Sequence, residues 1–274
     1  MERQGAAPPS AARAISILVV CSARASGLFV AGVGGSTEPT PSISLVLPAT
    51  GFGSLGAVQV VKVARVAAPR QLVAMPRVVG RDDYLLLVFD GLGYHGLPQE
   101  ISAVEDNLNG PWKALHRPGS RTPDGARWVD FAVFRVARSK SGQMTITISG
   151  SPGQSGATLA ILDLAGPRSE MEAAFADADA VGPFTATGAD YPSAAPGDQL
   201  IGVFAIYDYG QLKADQPGWM LDVSARAAGC AATLVFHRAL FATGDAAPTP
   251  LIRPSSAGAF GVGIIRLRPE ASRP

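Results

Sequence analysis

Apolar residues recur along this chain at period two and in short blocks, a pattern that excludes helical repeats and predicts strands. Residues 43–47 and 57–67 open the series. In the second, Val58, Val60 and Val66 share one parity while Val61 and Val63 take the other, so a strand is expected with a bulge or a change of face near Val60-Val61. The block Tyr84-Leu85-Leu86-Leu87-Val88-Phe89 reads as a strand buried on both faces or at the centre of a sheet. Asp90-Gly91-Leu92-Gly93-Tyr94-His95-Gly96 reads as a loop. Residues 101–105 form a short strand, and Asp106-Asn107-Leu108-Asn109-Gly110 has the chemistry of a turn. Residues 128–138 are a long strand with bulk on both faces. After a tight turn at 139–142, Met144, Ile146 and Ile148 point inward while Thr145, Thr147 and Ser149 point outward. Residues 157–164 close this group. Residues 170–180, rich in Ala, Glu and Asp, read as a short helix or a surface loop.

Much of this order returns further on. Asp83-Tyr84-Leu85-Leu86-Leu87-Val88-Phe89 is matched by Asp198-Gln199-Leu200-Ile201-Gly202-Val203-Phe204. Gly218-Trp219 stands where Pro111-Trp112 stood, and residues 232–239 resemble 131–137. An internal duplication at this spacing predicts two similar half-sandwiches, or one sandwich with pseudo-twofold order. The expected fold is therefore all-β: an antiparallel β-sandwich of jelly-roll or Ig-like type with pseudo-repeated halves. Residues 1–42 are read as a tail, 43–269 as the sandwich with halves at about 80–166 and 196–269, and 270–274 as a C-terminal tail.

The motifs Asp-x-Leu-Leu-x-Val-Phe, Ile101 through Trp112, Phe131-Ala132-Val133-Phe134 and Met144 through Ser151, with Pro196-Gly197-Asp198-Gln199-Leu200-Ile201-Gly202 in the second half, carry a family resemblance. They resemble a recurrent bacterial and phage extracellular β-sandwich module, over residues 80–269. The resemblance implies a virion or extracellular protein. The stretch Trp112-Lys113-Ala114-Leu115-His116 departs from the module's pattern, and so does the strand at Phe131, which lacks its Trp-Tyr pair.

Composition narrows the functional classes. Hydrophobic residues make up 47% of the 274 residues and charged ones 16%, which argues against disorder and for a chain able to bury a core without disulfides or metals. The formal net charge of +1 gives no broad attraction to nucleic acid, and no Lys/Arg cluster interleaved with aromatics supplies one. No apolar run has the length of a membrane span. Residues 14–23 have the order of an export signal, with Arg3 and Arg13 before an apolar run and Cys21-Ser22-Ala23 after it; the alternative is a simple N-terminal strand or tail. An extracellular or virion-surface location is the expectation.

Candidate chemistry is sparse. Cys21 and Cys230 have no Cys or His at ligand spacing, and none of His95, His116 and His237 stands in a metal motif, so neither a metal nor a cofactor is expected. Asp90, Asp106 and His116 are the general acid/base candidates, provided that loops bring them to one end of the sandwich. Gly91-x-Gly93-x-x-Gly96 has dinucleotide-fingerprint spacing, but Leu97-Pro98 interrupts the helix that the fingerprint requires. Gly150-Ser151-Pro152-Gly153 is not a nucleophile elbow. Trp112 and Trp219 read as core anchors, whereas Tyr94, Tyr207 and Tyr209 near loop ends are the ligand-binding candidates. The expected function is a non-catalytic structural or attachment module. Its expected partners are other structural proteins, further copies of itself, or a surface glycan. A carbohydrate-binding module using the loop tyrosines is the first alternative, and a glycan-directed hydrolase using loop carboxylates the second.

Overall fold

The computed structural model describes residues 16–17, 43–45, 57–63, 69–94, 101–117, 119–121, 127–150, 157–180, 186–187, 196–207, 212–215, 219–226, 231–239, 251–253 and 258–270. Within strands, burial is described for most but not all side chains. No helix occurs among these residues. The strands are β1 (Ser16–Ile17), β2 (Ile43–Leu45), β3 (Ala57–Val63), β4 (Arg70–Ala74), β5 (Tyr84–Tyr94), β6 (Ile101–Asp106) and β7 (Gly110–Pro111). Next come β8 (Lys113–His116), β9 (Gly119–Arg121), β10 (Arg127–Val136), β11 (Thr145–Gly150), β12 (Ala157–Leu164) and β13 (Arg168–Ala180). The chain continues through β14 (Ala186–Thr187), β15 (Gln199–Tyr207), β16 (Leu212–Asp215), β17 (Met220–Arg226), β18 (Ala231–Ala239), β19 (Leu251–Arg253) and β20 (Gly258–Pro269).

These strands form four antiparallel sheets. Sheet I has the order β4-β11-β6-β7, and sheet II the order β2-β3-β12-β5-β10-β8, with β9 also on β10. Sheet III is β13-β20-β15-β18-β17, and sheet IV is β1-β16-β19-β14. From β3 to β12 the chain passes back and forth between sheets I and II, and its first and last strands there, β3 and β12, are neighbours. That connectivity is a jelly roll rather than an Ig-like sandwich. In sheet III the order β13-β20-β15-β18-β17 follows the order β3-β12-β5-β10-β8 of sheet II, strand for strand along the chain. The order β14-β19-β16 in sheet IV likewise follows β4-β11-β6 in sheet I.

Sheet II is covered on both faces, and this is what its sequence pattern encodes. Val61, Val63, Leu85, Leu87, Phe89, Ala132, Phe134, Leu159 and Ile161 pack against Val73, Val104, Trp112, Met144, Ile146 and Ile148 of sheet I and its turns. The opposite parity, Val60, Tyr84, Leu86, Val88, Phe131, Val133, Ala160 and Leu162, packs against Ile201, Val203, Ala205, Val223, Val235, Ile265 and Leu267 of sheet III. Valines on both parities of β3 thus reflect two buried faces. Across Val60-Val61 β3 pairs in continuous register; its bulge lies two residues earlier, at Val58, which is skipped between the pairs Gln59↔Asp163 and Ala57↔Leu164. At about 25 cal/mol per Å² of apolar surface, burying both faces of one sheet makes this the main stabilising layer. The outer face of sheet III is buried too, at Leu200, Phe204, Ile206, Leu234, Phe236 and Ile264, and the rings of Phe204 and Phe236 meet edge to face at 5.7 Å.

Two further expectations are corrected. Residues 170–180 are neither helix nor loop but most of β13, which pairs with β20 from Arg168↔Pro269 to Ala180↔Gly258. Alanine's helix preference is worth only a few tenths of a kcal/mol per residue relative to most others, and a ladder of this length overrides it. The expected loop at 90–96 is strand as far as Tyr94, because β10 pairs with it through Tyr94 and β12 pairs on its other side as far as Gly91. The alternation in β11 holds at Met144, Ile146 and Ile148, although Thr147 on the outer face is covered as well.

Candidate functional site

The turn after β6 shows what the Asp106-to-Trp112 motif does. Asp106 is buried at the strand end, and its Oδ1 accepts the backbone N–H groups of Leu108 and Asn109, both at 2.7 Å. Its Oδ2 accepts Trp112 Nε1–H at 2.6 Å. One carboxylate therefore closes the turn and fixes the indole in the core between sheets I and II. Gly110 supplies the positive φ of 79° that the turn needs. Asn109 extends the arrangement: its Nδ2 donates to Asp106, and its Oδ1 accepts the backbone N–H of Lys140 at 2.9 Å.

Beside this turn lies a cavity of about 330 Å³ lined by Asn109, Pro111, Lys113, Arg135, Val136, Ala137, Arg138 and Lys140. Four of these residues are cationic. Arg135 Nε lies 2.7 Å from Glu170 Oε2, which also accepts the Tyr84 hydroxyl at 3.1 Å, and Arg138 pairs with Glu270. Burial, followed by the Glu170 charge, holds the Tyr84 phenol far above its usual range, so it stays protonated and donates to Glu170.

Other ionisable groups are held inside the stack. Asp83, just before β5, accepts Gly80 N–H at 2.8 Å and Gly166 N–H at 2.7 Å. Its neighbour Asp163 is fully buried on β12 and accepts Gln59 Nε2–H at 2.9 Å. Burial pushes the Asp163 carboxyl up to about 7; the Gln59 amide opposes this, and Asp83 adds to it by its charge and by accepting the proton. Asp198, just before β15, is paired with Arg268 at 2.6 Å, and that pairing raises the arginine further. His237 Nδ1 lies 2.7 Å from Asp222 Oδ2; burial raises the Asp222 carboxyl, and the histidine opposes the shift.

The general acid/base candidates occupy three separate settings. Asp90 is fully buried on β5 facing sheet III, and burial pushes its carboxyl well above the usual range. The backbone groups of Ala232 and Ile206 partly oppose that shift, but neither carboxyl oxygen has a hydrogen bond of full geometry among the described residues. Asp106 is committed to its turn. His116 stacks on Phe175 at 4.6 Å and tilts against Phe131 at 5.0 Å, joining sheet II to sheet III. Trp112 and Trp219 are both buried, immediately before the matching strands β8 and β17.

Among the ligand-binding candidates, Tyr94 ends β5 and Tyr207 ends β15, and these two strands are in contact across the stack. Their side chains, and the whole of Tyr209, lie outside the described residues, as do Cys21, Cys230, His95 and the signal-like segment 18–23. Among the described residues no group of three His, Cys, Asp or Glu could hold a metal ion, and no helix is long and apolar enough to cross a membrane. The cationic cavity was not foreseen. Its lysines and arginines come from β8, β10 and the turn after β10, and only Arg138-Ser139-Lys140 forms a local cluster that could have signalled it. No protein-family model matches the chain, nor does any curated protein or any solved structure.

Proposed function

We propose that the chain is a non-catalytic structural or attachment protein of a virion or bacterial cell surface, built from two copies of a jelly-roll unit joined face to face. The observation that carries this reading is the doubly buried sheet II. The facing surfaces of the two units are spent on each other, which leaves loops and strand ends as the display surface. The matching strand orders of sheets II and III begin at β3 and β13, and so support treating residues 57–164 and 168–269 as copies. Jelly rolls serve as viral capsid and lectin domains, an analogy at the level of the fold. Other structural proteins, further copies of this chain and surface glycans are the partners that suit such a display.

Carbohydrate binding is the second reading, favoured by the open cationic cavity beside the Asp106 turn. The hydrolase reading has less support. Asp83 and Asp163 come together buried in the stack and tied to backbone amides and Gln59, and a second pair, Asp90 and Asp130, is buried as well. The test is to incubate the purified chain with intact bacterial cells and with isolated surface polysaccharide, measuring retained protein and released reducing ends. Saturable retention without new reducing ends is expected. Steady release of reducing ends by homogeneous protein would overturn the non-catalytic reading.

A further inference from the structure

The cavity beside the Asp106 turn carries more positive charge than its surroundings neutralise. Of its four cations, Arg135 is matched by Glu170 and Arg138 by Glu270. Lys113 and Lys140 have no carboxylate partner among the described residues, and both are exposed. Lys113 is moreover the direct cross-strand partner of Arg135 in the β8–β10 ladder. Like charges placed opposite one another on adjacent strands are unfavourable; Glu170 offsets this on the Arg135 side, and a bound anion would offset it at Lys113. The mouth of the cavity is pre-ordered. Asp106 fixes Asn109 and Trp112, Asn109 fixes the Lys140 backbone, and Pro111 is held between them on β7. Such pre-ordering lowers the entropic cost of binding.

Size and lining narrow the ligand. A volume of about 330 Å³ lies at the lower end of small-molecule sites. Pro111, Val136 and Ala137 give an apolar wall beside the cations. A ring with a C–H face and one acidic group fits that combination. We propose that the cavity binds the acidic sugar of a surface glycan, a hexuronate or a sialic-type residue, with its carboxylate between Lys113 and Lys140 and its ring against Pro111 and Val136. The proposal rests on the attachment reading and names the ligand class for it.

The test is calorimetric and NMR titration of the full chain with glucuronate, N-acetylneuraminate, glucose and inorganic phosphate. At least one acidic sugar is expected to bind with a Kd on the order of 1 mM, with glucose and phosphate at least about tenfold weaker. Lys113→Ala/Lys140→Ala alters only exposed side chains; it is expected to keep the melting temperature and lose at least about tenfold in affinity. Three results would each overturn the proposal: no binding of either acidic sugar at ~20 mM, phosphate binding as tight as the sugar, or undiminished affinity in the double variant. Cell retention measured in parallel separates the two ideas. If the double variant adheres as well as the parent chain, the cavity is not the attachment site although attachment stands. If the acidic sugar binds but neither protein adheres, the cavity proposal holds and the attachment reading falls.

Discussion

The ring of Phe131, on the central sheet II, rests directly on the backbone of Gly261, on sheet III. A Cβ built at Gly261 would lie 2.3 Å from Phe131 Cδ1 and 2.5 Å from Phe131 Cβ. Sheets II and III approach this closely because sheet III presents no side chain at the contact point. Nearby, Thr158 Oγ1 and Thr233 Oγ1 meet at 2.8 Å between the same two sheets and satisfy each other in a buried setting.

Gly261→Ala is therefore expected to destabilise the protein by about 1–3 kcal/mol through overpacking. Urea denaturation measures it. In a Phe131→Ala background, which removes the Cδ1 and Cγ that a Gly261 Cβ would meet, the same change is expected to cost less than it does alone, because the two positions share one space. Additive costs would mean that the sheets are not in contact there.

The Asp106 turn gives an optical test. Asp106→Ala leaves Trp112 Nε1 and two turn amides without their acceptor, and a loss of about 2–4 kcal/mol is expected. Tryptophan emission should shift to longer wavelength as the indole at Trp112 loses its anchor. An unchanged spectrum with unchanged stability would contradict the arrangement.

Asp163 predicts a specific dependence on pH. An unfolded aspartate titrates near ~4, whereas burial holds this one at about 7. Between those values the folded chain keeps a proton that the unfolded chain has lost, so this group's contribution to stability falls as pH rises toward 7 and is level above it. Asp163→Asn can still accept from Gln59 and donate to Asp83. It is expected to match the parent chain near pH 4 and to exceed it at pH 8, by on the order of 1–3 kcal/mol. Melting curves across that range check the sign; a variant less stable at pH 8 would contradict it.

Much of the fold could be read from local pattern. The apolar block at residues 84–89, the alternation of Met144, Ile146 and Ile148, and the Asp106–Trp112 turn each encode their own structure within a few residues. What escaped depends on distant partners. The segment in β13 has helix-forming composition and becomes a strand only because β20, at the far end of the chain, supplies its ladder. The two-sided valines of β3 look like an irregularity until sheets I and III cover both faces. The site was less legible still. Lys113 on β8 is separated from Arg135 and Lys140 by β9 and most of β10, and only the β8–β10 register brings Lys113 opposite Arg135.

The most direct test of the stacked architecture is native-state hydrogen exchange followed by mass spectrometry. If sheets II and III share one core, peptides covering residues 84–89 and 200–206 should be the slowest to exchange, with equal free energies of opening. Their protection should also fall together in Gly261→Ala. Exchange in residues 200–206 that is faster by about tenfold or more, and insensitive to Gly261→Ala, would show instead that the two sheets open independently and contradict the shared core.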